Sequence, residues 1–202
     1  MFDARLRPLI DPPLNAAGRA LSRMGIGANA VTLAGLVPAL GAAFAIAQGH
    51  FTLGLVLIIV NRLLDGLDGA VARASGITDF GGYLDTLADY VFYVAVPVAF
   101  GLASPVNTAP AMLLIASFTL TCASFLVFAA IAVRRGKETA AHGTKSIFYS
   151  TGLAEGAETI AAFVAMCLWP ERFPLIAIGF AVLCLATVIQ RSLLARQAFT
   201  PE

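Results

Sequence analysis

Between residues 29 and 195 the chain is a succession of apolar runs, each close to the length that a bilayer demands, joined by short polar turns. A run of roughly 20 apolar residues crosses hydrocarbon as a helix, because only then are its own backbone N–H and C=O groups satisfied. The runs lie at about 29–48, 52–74, 82–104, 109–134, 147–169 and 173–195. They predict an all-α membrane protein built as one six-transmembrane-helix bundle. Composition agrees: 59% of the residues are hydrophobic and 12% charged, against about 45–50% and about 25% in a soluble domain. A length of 202 residues leaves no room for a separate soluble domain beside six spans.

Residues 1–28 hold Arg5, Arg7, Arg19 and Arg23 interleaved with Leu6, Leu9, Ile10, Leu14, Leu21 and Met24. This is the pattern of an amphipathic juxtamembrane helix on the bilayer surface, expected as one or two short pieces broken near Pro12 and Pro13. No continuous apolar core marks a cleaved signal peptide. The organisation expected is therefore 1–28 as juxtamembrane segment and 29–202 as the transmembrane domain. Cys122, Cys167 and Cys184 all fall in apolar runs, where Cys acts as a small hydrophobe.

Thirteen Lys and Arg against twelve Asp and Glu give a net charge of +1, which points to no nucleic-acid partner. Sorted by position the charges are far from even. With six spans both termini share a face, and twelve of the thirteen basic residues fall on it, leaving Arg172 on the other. By the positive-inside rule that face is cytoplasmic, in a multi-pass protein of a bacterial inner membrane.

Six acids lie within spans on this same side: Asp65 and Asp68, Asp85 and Asp89, and Glu155 and Glu158. A carboxylate at membrane depth costs several kcal/mol unless paired, hydrated or ligated, so each marks a functional candidate. The i,i+3 and i,i+4 spacings place each Asp pair on one helix face, and two consecutive antiparallel helices can present all four to one point. Arg62 and Arg73 cannot neutralise four converging carboxylates, whereas divalent cations can. An all-oxygen donor set with no His or Cys beside it suits Mg²⁺, Mn²⁺ or Ca²⁺ rather than zinc. Mg²⁺ commonly completes its shell with substrate phosphate and water, which points to a phosphate-bearing substrate. The competing explanation is that the acids merely pair with basic residues to hold the bundle together.

Gly66 and Gly69 each follow an aspartate in a helix, where Gly costs about 1 kcal/mol relative to Ala. With Ala70 and Ala72 they make a small-residue surface that a ligand or another backbone can approach closely.

The segment Asp65-Gly66-Leu67-Asp68-Gly69-Ala70-Val71-Ala72-Arg73, then seven residues, then Gly81-x3-Asp85-x3-Asp89, resembles the signature of the CDP-alcohol phosphatidyltransferase family. All eight defining positions, four Asp, two Gly, Ala and Arg, stand in order. The resemblance implies transfer of a substituted phosphate from a CDP-linked donor, CDP-diacylglycerol or another CDP-alcohol, to the hydroxyl of a small alcohol, with release of CMP. It implies that Asp65, Asp68 and Asp85, with Asp89 close by, bind two divalent cations, Mg²⁺ or Mn²⁺. Asp89 would be the catalytic base, and Gly66, Gly69, Ala72 and Arg73 would line the nucleotide and pyrophosphate pocket. Asn29 and Thr32 of Ala28-Asn29-Ala30-Val31-Thr32 match a donor-contacting motif that has Pro where Ala28 stands; helix capping by Asn29 is the plainer explanation. The family has a second branch that moves a phosphoalcohol from a CDP-alcohol onto diacylglycerol, and homodimers occur in it.

For the acceptor, Arg134, Arg135, His142, Lys145 and Arg191 are the basic candidates, and Glu155 and Glu158 would favour a polyol or amine-bearing alcohol over a phosphorylated one. A cation transporter also uses intramembrane carboxylates, but it would spread them through the membrane depth, and here the outer halves of the spans hold none.

Overall fold

The computed structural model describes residues 3–135 and 152–199, with side chains from residue 11 onward. Seven α-helices and no strands occur among these residues: α1 (Asp3–Arg23), α2 (Ala28–Ala47), α3 (Phe51–Ser75), α4 (Asp79–Ala103), α5 (Thr108–Arg134), α6 (Gly156–Leu168) and α7 (Phe173–Phe199). Short 3-10 turns at Pro105–Asn107 and Pro170–Arg172 lead into α5 and α7.

Helices α2, α3, α4, α5 and α7 cover the apolar runs to within a few residues. The fifth run differs. Helix formation there begins only at Gly156, giving α6 13 residues, and positions 147–151 lie outside the described residues. Among the described residues four stretches are long and apolar enough to cross a membrane by length and composition: Ala28–Ala47, Asp79–Ala103, Pro105–Arg134 and Pro170–Phe199. By this measure four of the six expected spans qualify among the described residues. Helix α3 has the length, at 25 residues, but carries Arg62, Asp65, Asp68 and Arg73, and α6 is too short.

The N-terminal segment is one continuous helix through Pro12 and Pro13, without the break expected there. Each proline removes one backbone donor, and packing on α3 compensates: Leu14 lies over Gly66, and Gly18 lies so close to Ala70 that a Cβ there would stand 2.6 Å from the Ala70 carbonyl carbon.

Around α3 the helices stack in a consistent order. Helix α3 packs on α2 and α1, α2 on α4, α5 on α4 and α7, and α6 on α3 and α7. In lipid, packing and interhelical hydrogen bonds hold such a bundle, so small residues matter where backbones meet. Gly54 against Ile46 is such a place. Phe92 of α4 and Phe118 of α5 each meet Phe163 of α6 edge to face, and Phe100 stacks on Phe173 at 4.5 Å. Leu33, Val37, Phe44, Leu102, Leu175 and Val182 face outward, as a lipid-contacting surface requires.

Helices α3 and α4 are joined by Gly76, Ile77 and Thr78 alone. Gly76 takes φ +107°, a conformation open to glycine, and its N–H bonds the Ala72 carbonyl at 2.9 Å. Thr78 caps α4 by accepting the Gly81 N–H at 3.0 Å. So short a connection turns the chain back on itself, and α2, on which both helices pack, holds their acid-bearing ends near each other.

Candidate active site

Arg62 stands among the carboxylates. Its Nη1 donates to Asp89 Oδ1 at 3.0 Å and lies 3.5 Å from Asp65 Oδ2. Its Nε donates to Asn61 Oδ1 at 2.9 Å, and Asn61 Nδ2 in turn donates to the Gly35 carbonyl of α2 at 2.9 Å. The guanidinium also lies over the Phe92 ring, 4.4 Å from its centroid. Sequence reasoning had set Arg62 aside as an insufficient counter-charge and had not singled out Asn61. The usable signal was that Arg62 is three residues before Asp65, hence on its face.

Two cavities border this cluster. One, about 10 Å³, lies between Thr32, Asn61, Arg62, Asp65, Asp68 and Asp89, room for a single water-sized occupant. The other, about 460 Å³, is lined by Asn29, Thr32, Asp68, Gly69, Ala72, Arg73, Gly81 and Asp85, among others. That volume is ordinary for a small-molecule site. Asp68, only 5% exposed, belongs to both. The four aspartates are thus distributed over adjoining cavities rather than gathered round one point. Among the described residues no three Asp, Glu, His or Cys side chains are grouped tightly enough, as they stand, to hold one ion; Asp65 and Asp89 both lie against Arg62.

Asn29 and Thr32 reach the larger cavity. Asn29 does not cap α2, whose N-cap is Gly27 with no side-chain cap bond; its Oδ1 stands beside Gly81 instead. Gly69 lets the Arg73 guanidinium lie over its backbone, since a Cβ would be 3.3 Å from Nη1. Gly66, expected in the pocket wall, faces Leu14 of α1, so its missing side chain serves helix packing there. Arg73 is gripped by Asn15 of α1, whose Oδ1 accepts from Nε at 3.2 Å and Nη2 at 2.9 Å. No local pattern links residues 58 positions apart, and sequence reasoning missed Asn15.

The acceptor candidates are dispersed. Arg134 is exposed at the end of α5, and His142 and Lys145 lie outside the described residues. Arg191 Nη1 donates to the Thr121 carbonyl and to Ser124 Oγ, each at 2.9 Å, with its guanidinium over Phe125. Glu155 and Glu158 form a capping box at the start of α6, each side chain accepting from the other residue's backbone N–H. Just before it, Thr187 Oγ1 of α7 accepts from both Leu153 N and Ala154 N, at 3.1 and 3.0 Å.

Comparison with known proteins decides the family. The model of the CDP-alcohol phosphatidyltransferase family matches residues 26–190. The chain belongs to the CDP-alcohol phosphatidyltransferase family. It is 42% identical over 192 residues to the inner membrane protein YnjF of Escherichia coli K12, covering 95% of this chain and 93% of that protein. It is also 36% identical over 87 residues to the archaetidylinositol phosphate synthase of Pyrococcus horikoshii, covering 43% of this chain and 46% of that enzyme. In fold it resembles the phosphatidylinositol phosphate synthase PgsA1 of Mycobacterium tuberculosis. The crystal structure of that enzyme with manganese and citrate gives a TM-score of 0.73 at 20% identity, covering 94% of this chain and 93% of that one. The form with CDP-DAG bound gives 0.67 at 22% identity, covering 94% and 98%. As a CDP-alcohol phosphatidyltransferase the chain is a membrane enzyme of phospholipid synthesis, and its family signature is the stretch that lines the two cavities.

Proposed function

We propose that this enzyme transfers the phosphatidyl group of CDP-diacylglycerol to the hydroxyl of a small alcohol and releases CMP, at a divalent-metal site made by Asp65, Asp68, Asp85 and Asp89. One observation carries the reading: Asp68 is shared between an acidic cavity of single-ion size and a nucleotide-sized cavity lined by Asn29, Thr32, Gly69, Ala72 and Arg73. The donor set fits a hard cation, being all carboxylate oxygen with a water-sized space beside it. The PgsA1 structures, with manganese in one and CDP-DAG in the other, support the same reading.

Two bound Mg²⁺ or Mn²⁺ ions would offset the pyrophosphate charge and stabilise the attacking and leaving oxygens. The chain's own residues do the rest. Asn29, Thr32, Gly69 and Ala72 shape the nucleotide pocket, and Gly69 keeps the wall thin where Arg73 crosses it. Arg73, held by Asn15, pairs with donor phosphate. Asp89, one turn after Asp85, takes the acceptor's hydroxyl proton as the acceptor oxygen bonds to the diacylglycerol-bearing phosphorus and the bond to CMP breaks.

Residues 29–202 form the catalytic membrane domain with α3 and α6 counted as its second and fifth spans, and residues 1–28 the juxtamembrane segment, lying on the bilayer surface. Both termini and the site face the cytoplasm, as the placement of twelve of thirteen basic residues favours. The acceptor is a polyol or an amine-bearing alcohol: Arg191, a basic candidate for an acceptor phosphate, is already bound to α5.

The test is CMP release by the purified protein over a panel of donors and acceptors with Mg²⁺ or Mn²⁺. Release from CDP-diacylglycerol with one alcohol, abolished by chelation and nearly abolished in Asp89→Asn, is expected. Release only from CDP-choline or CDP-ethanolamine with diacylglycerol would replace the donor assignment. No release, with Asp-dependent cation flux in proteoliposomes, would overturn the proposal.

A further inference from the structure

A cation fixed among metal-binding carboxylates competes with the metal, and Arg62 is so placed. It shares one nitrogen between Asp89, at 3.0 Å, and Asp65, at 3.5 Å. Its remaining contacts hold it there independently: Nε bonds Asn61, Asn61 is tied to the Gly35 carbonyl, and the guanidinium carbon lies over the Phe92 ring. The side chain of Arg62 is 17% exposed, those of Asp65 and Asp89 34% and 29%. The arginine is therefore the fixed partner, and the two carboxylates are the groups with freedom to turn.

We propose that Arg62 is a built-in counter-ion that holds Asp65 and Asp89 when no metal is bound and gives them up when an ion enters. Its charge offsets part of the repulsion among four carboxylates in a partly desolvated site, where uncompensated like charges are costly. Metal entry needs no movement of α3 or α4. Asp65 and Asp89 rotate from Nη1 toward the small cavity that they already border with Asp68, while Asn61 and Phe92 keep the guanidinium in place. Arg62 thus sets how tightly the ion is held, as a positioning residue rather than a ligand.

This rests on the metal site proposed above, and one experiment separates the two. Mn²⁺ binding to the detergent-purified protein is titrated by electron paramagnetic resonance of the free ion, and thermal midpoints are measured in chelator and in saturating Mn²⁺, for wild type, Arg62→Gln and Arg62→Lys. Removing the competing charge tightens Mn²⁺ binding by about tenfold in Arg62→Gln. Its midpoint falls in chelator and returns to the wild-type value in Mn²⁺, because the ion replaces the lost counter-charge. Arg62→Lys keeps the charge and holds Mn²⁺ affinity within about threefold of wild type. Unchanged or weaker binding in Arg62→Gln, or an equal fall of the midpoint with and without Mn²⁺, overturns the role of Arg62 alone. Absence of Mn²⁺ binding in wild type overturns both. A readout that needs no stable neutral variant is the Arg62 side-chain ¹⁵N signal, assigned by its loss in Arg62→Lys: it shifts on saturation with Mg²⁺, and constancy refutes the exchange.

Discussion

Gly18→Ala tests whether α1 is a working part of the site. A Cβ at residue 18 would stand 2.6 Å from the Ala70 carbonyl carbon and 2.8 Å from both its oxygen and its Cβ. Non-bonded carbons rest at about 3.5–4.0 Å, and backbone atoms cannot swing aside as a side-chain tip can. Helix α1 must lift by about 1 Å. Overpacking of this kind costs about 1–3 kcal/mol, which at about 2–4 °C per kcal/mol for a chain of this length lowers the melting midpoint by several degrees. The same lift stretches the bonds from Arg73 to Asn15, now 3.2 and 2.9 Å, past the limit of a useful hydrogen bond. Arg73 then loses its support, so the KM for CDP-diacylglycerol rises several-fold with kcat little changed. Asn15→Ala, which removes the grip without moving the helix, reproduces the KM effect with little of the stability loss. Thermal unfolding in detergent and CMP-release kinetics read both. A Gly18→Ala protein with wild-type midpoint and wild-type KM would refute the argument, since the clash is with backbone and has no cheap escape.

Two further substitutions probe the entry to α6. Thr187→Val deprives the Leu153 and Ala154 N–H groups of their shared acceptor, and leaving buried donors unpaired costs about 1–3 kcal/mol; faster amide exchange at Leu153 and Ala154 with a lower midpoint is expected. Glu155→Ala removes the capping box and about 1 kcal/mol of stability, whereas Glu155→Gln, whose amide oxygen still accepts, retains most of it in the same melting assay.

The legible part of the site was the part written in near neighbours. Asp65 with Asp68 and Asp85 with Asp89 could be placed on faces from helical spacing, and the order of acids, glycines and Arg73 identified the family before any fold was known. Arg62 illustrates the limit. Its position three residues before Asp65 was readable, but its hold on Asp89 required α3 and α4 both to be docked on α2. Glu155 and Glu158 looked like acids inside a span because the apolar run continues past them on both sides; in the structure a capping box starts the helix between them. Gly66 looked like pocket wall because it follows Asp65, yet Leu14, 52 positions earlier in the sequence, occupies the space beside it.

By itself the sequence determined that this is a helical membrane chain, where its helices run in outline, and which eight residues form its family signature. Those features depend on residue type and on separations of three or four positions along one helix, which covalent geometry controls. Tertiary structure decided which carboxylates share a cation, which glycine faces ligand space and which faces a neighbouring helix, and that α1 reaches the motif through Asn15. Such contacts join residues tens of positions apart, and their partners are set by how helices dock, where a displacement of 1 Å is the difference between a hydrogen bond and none.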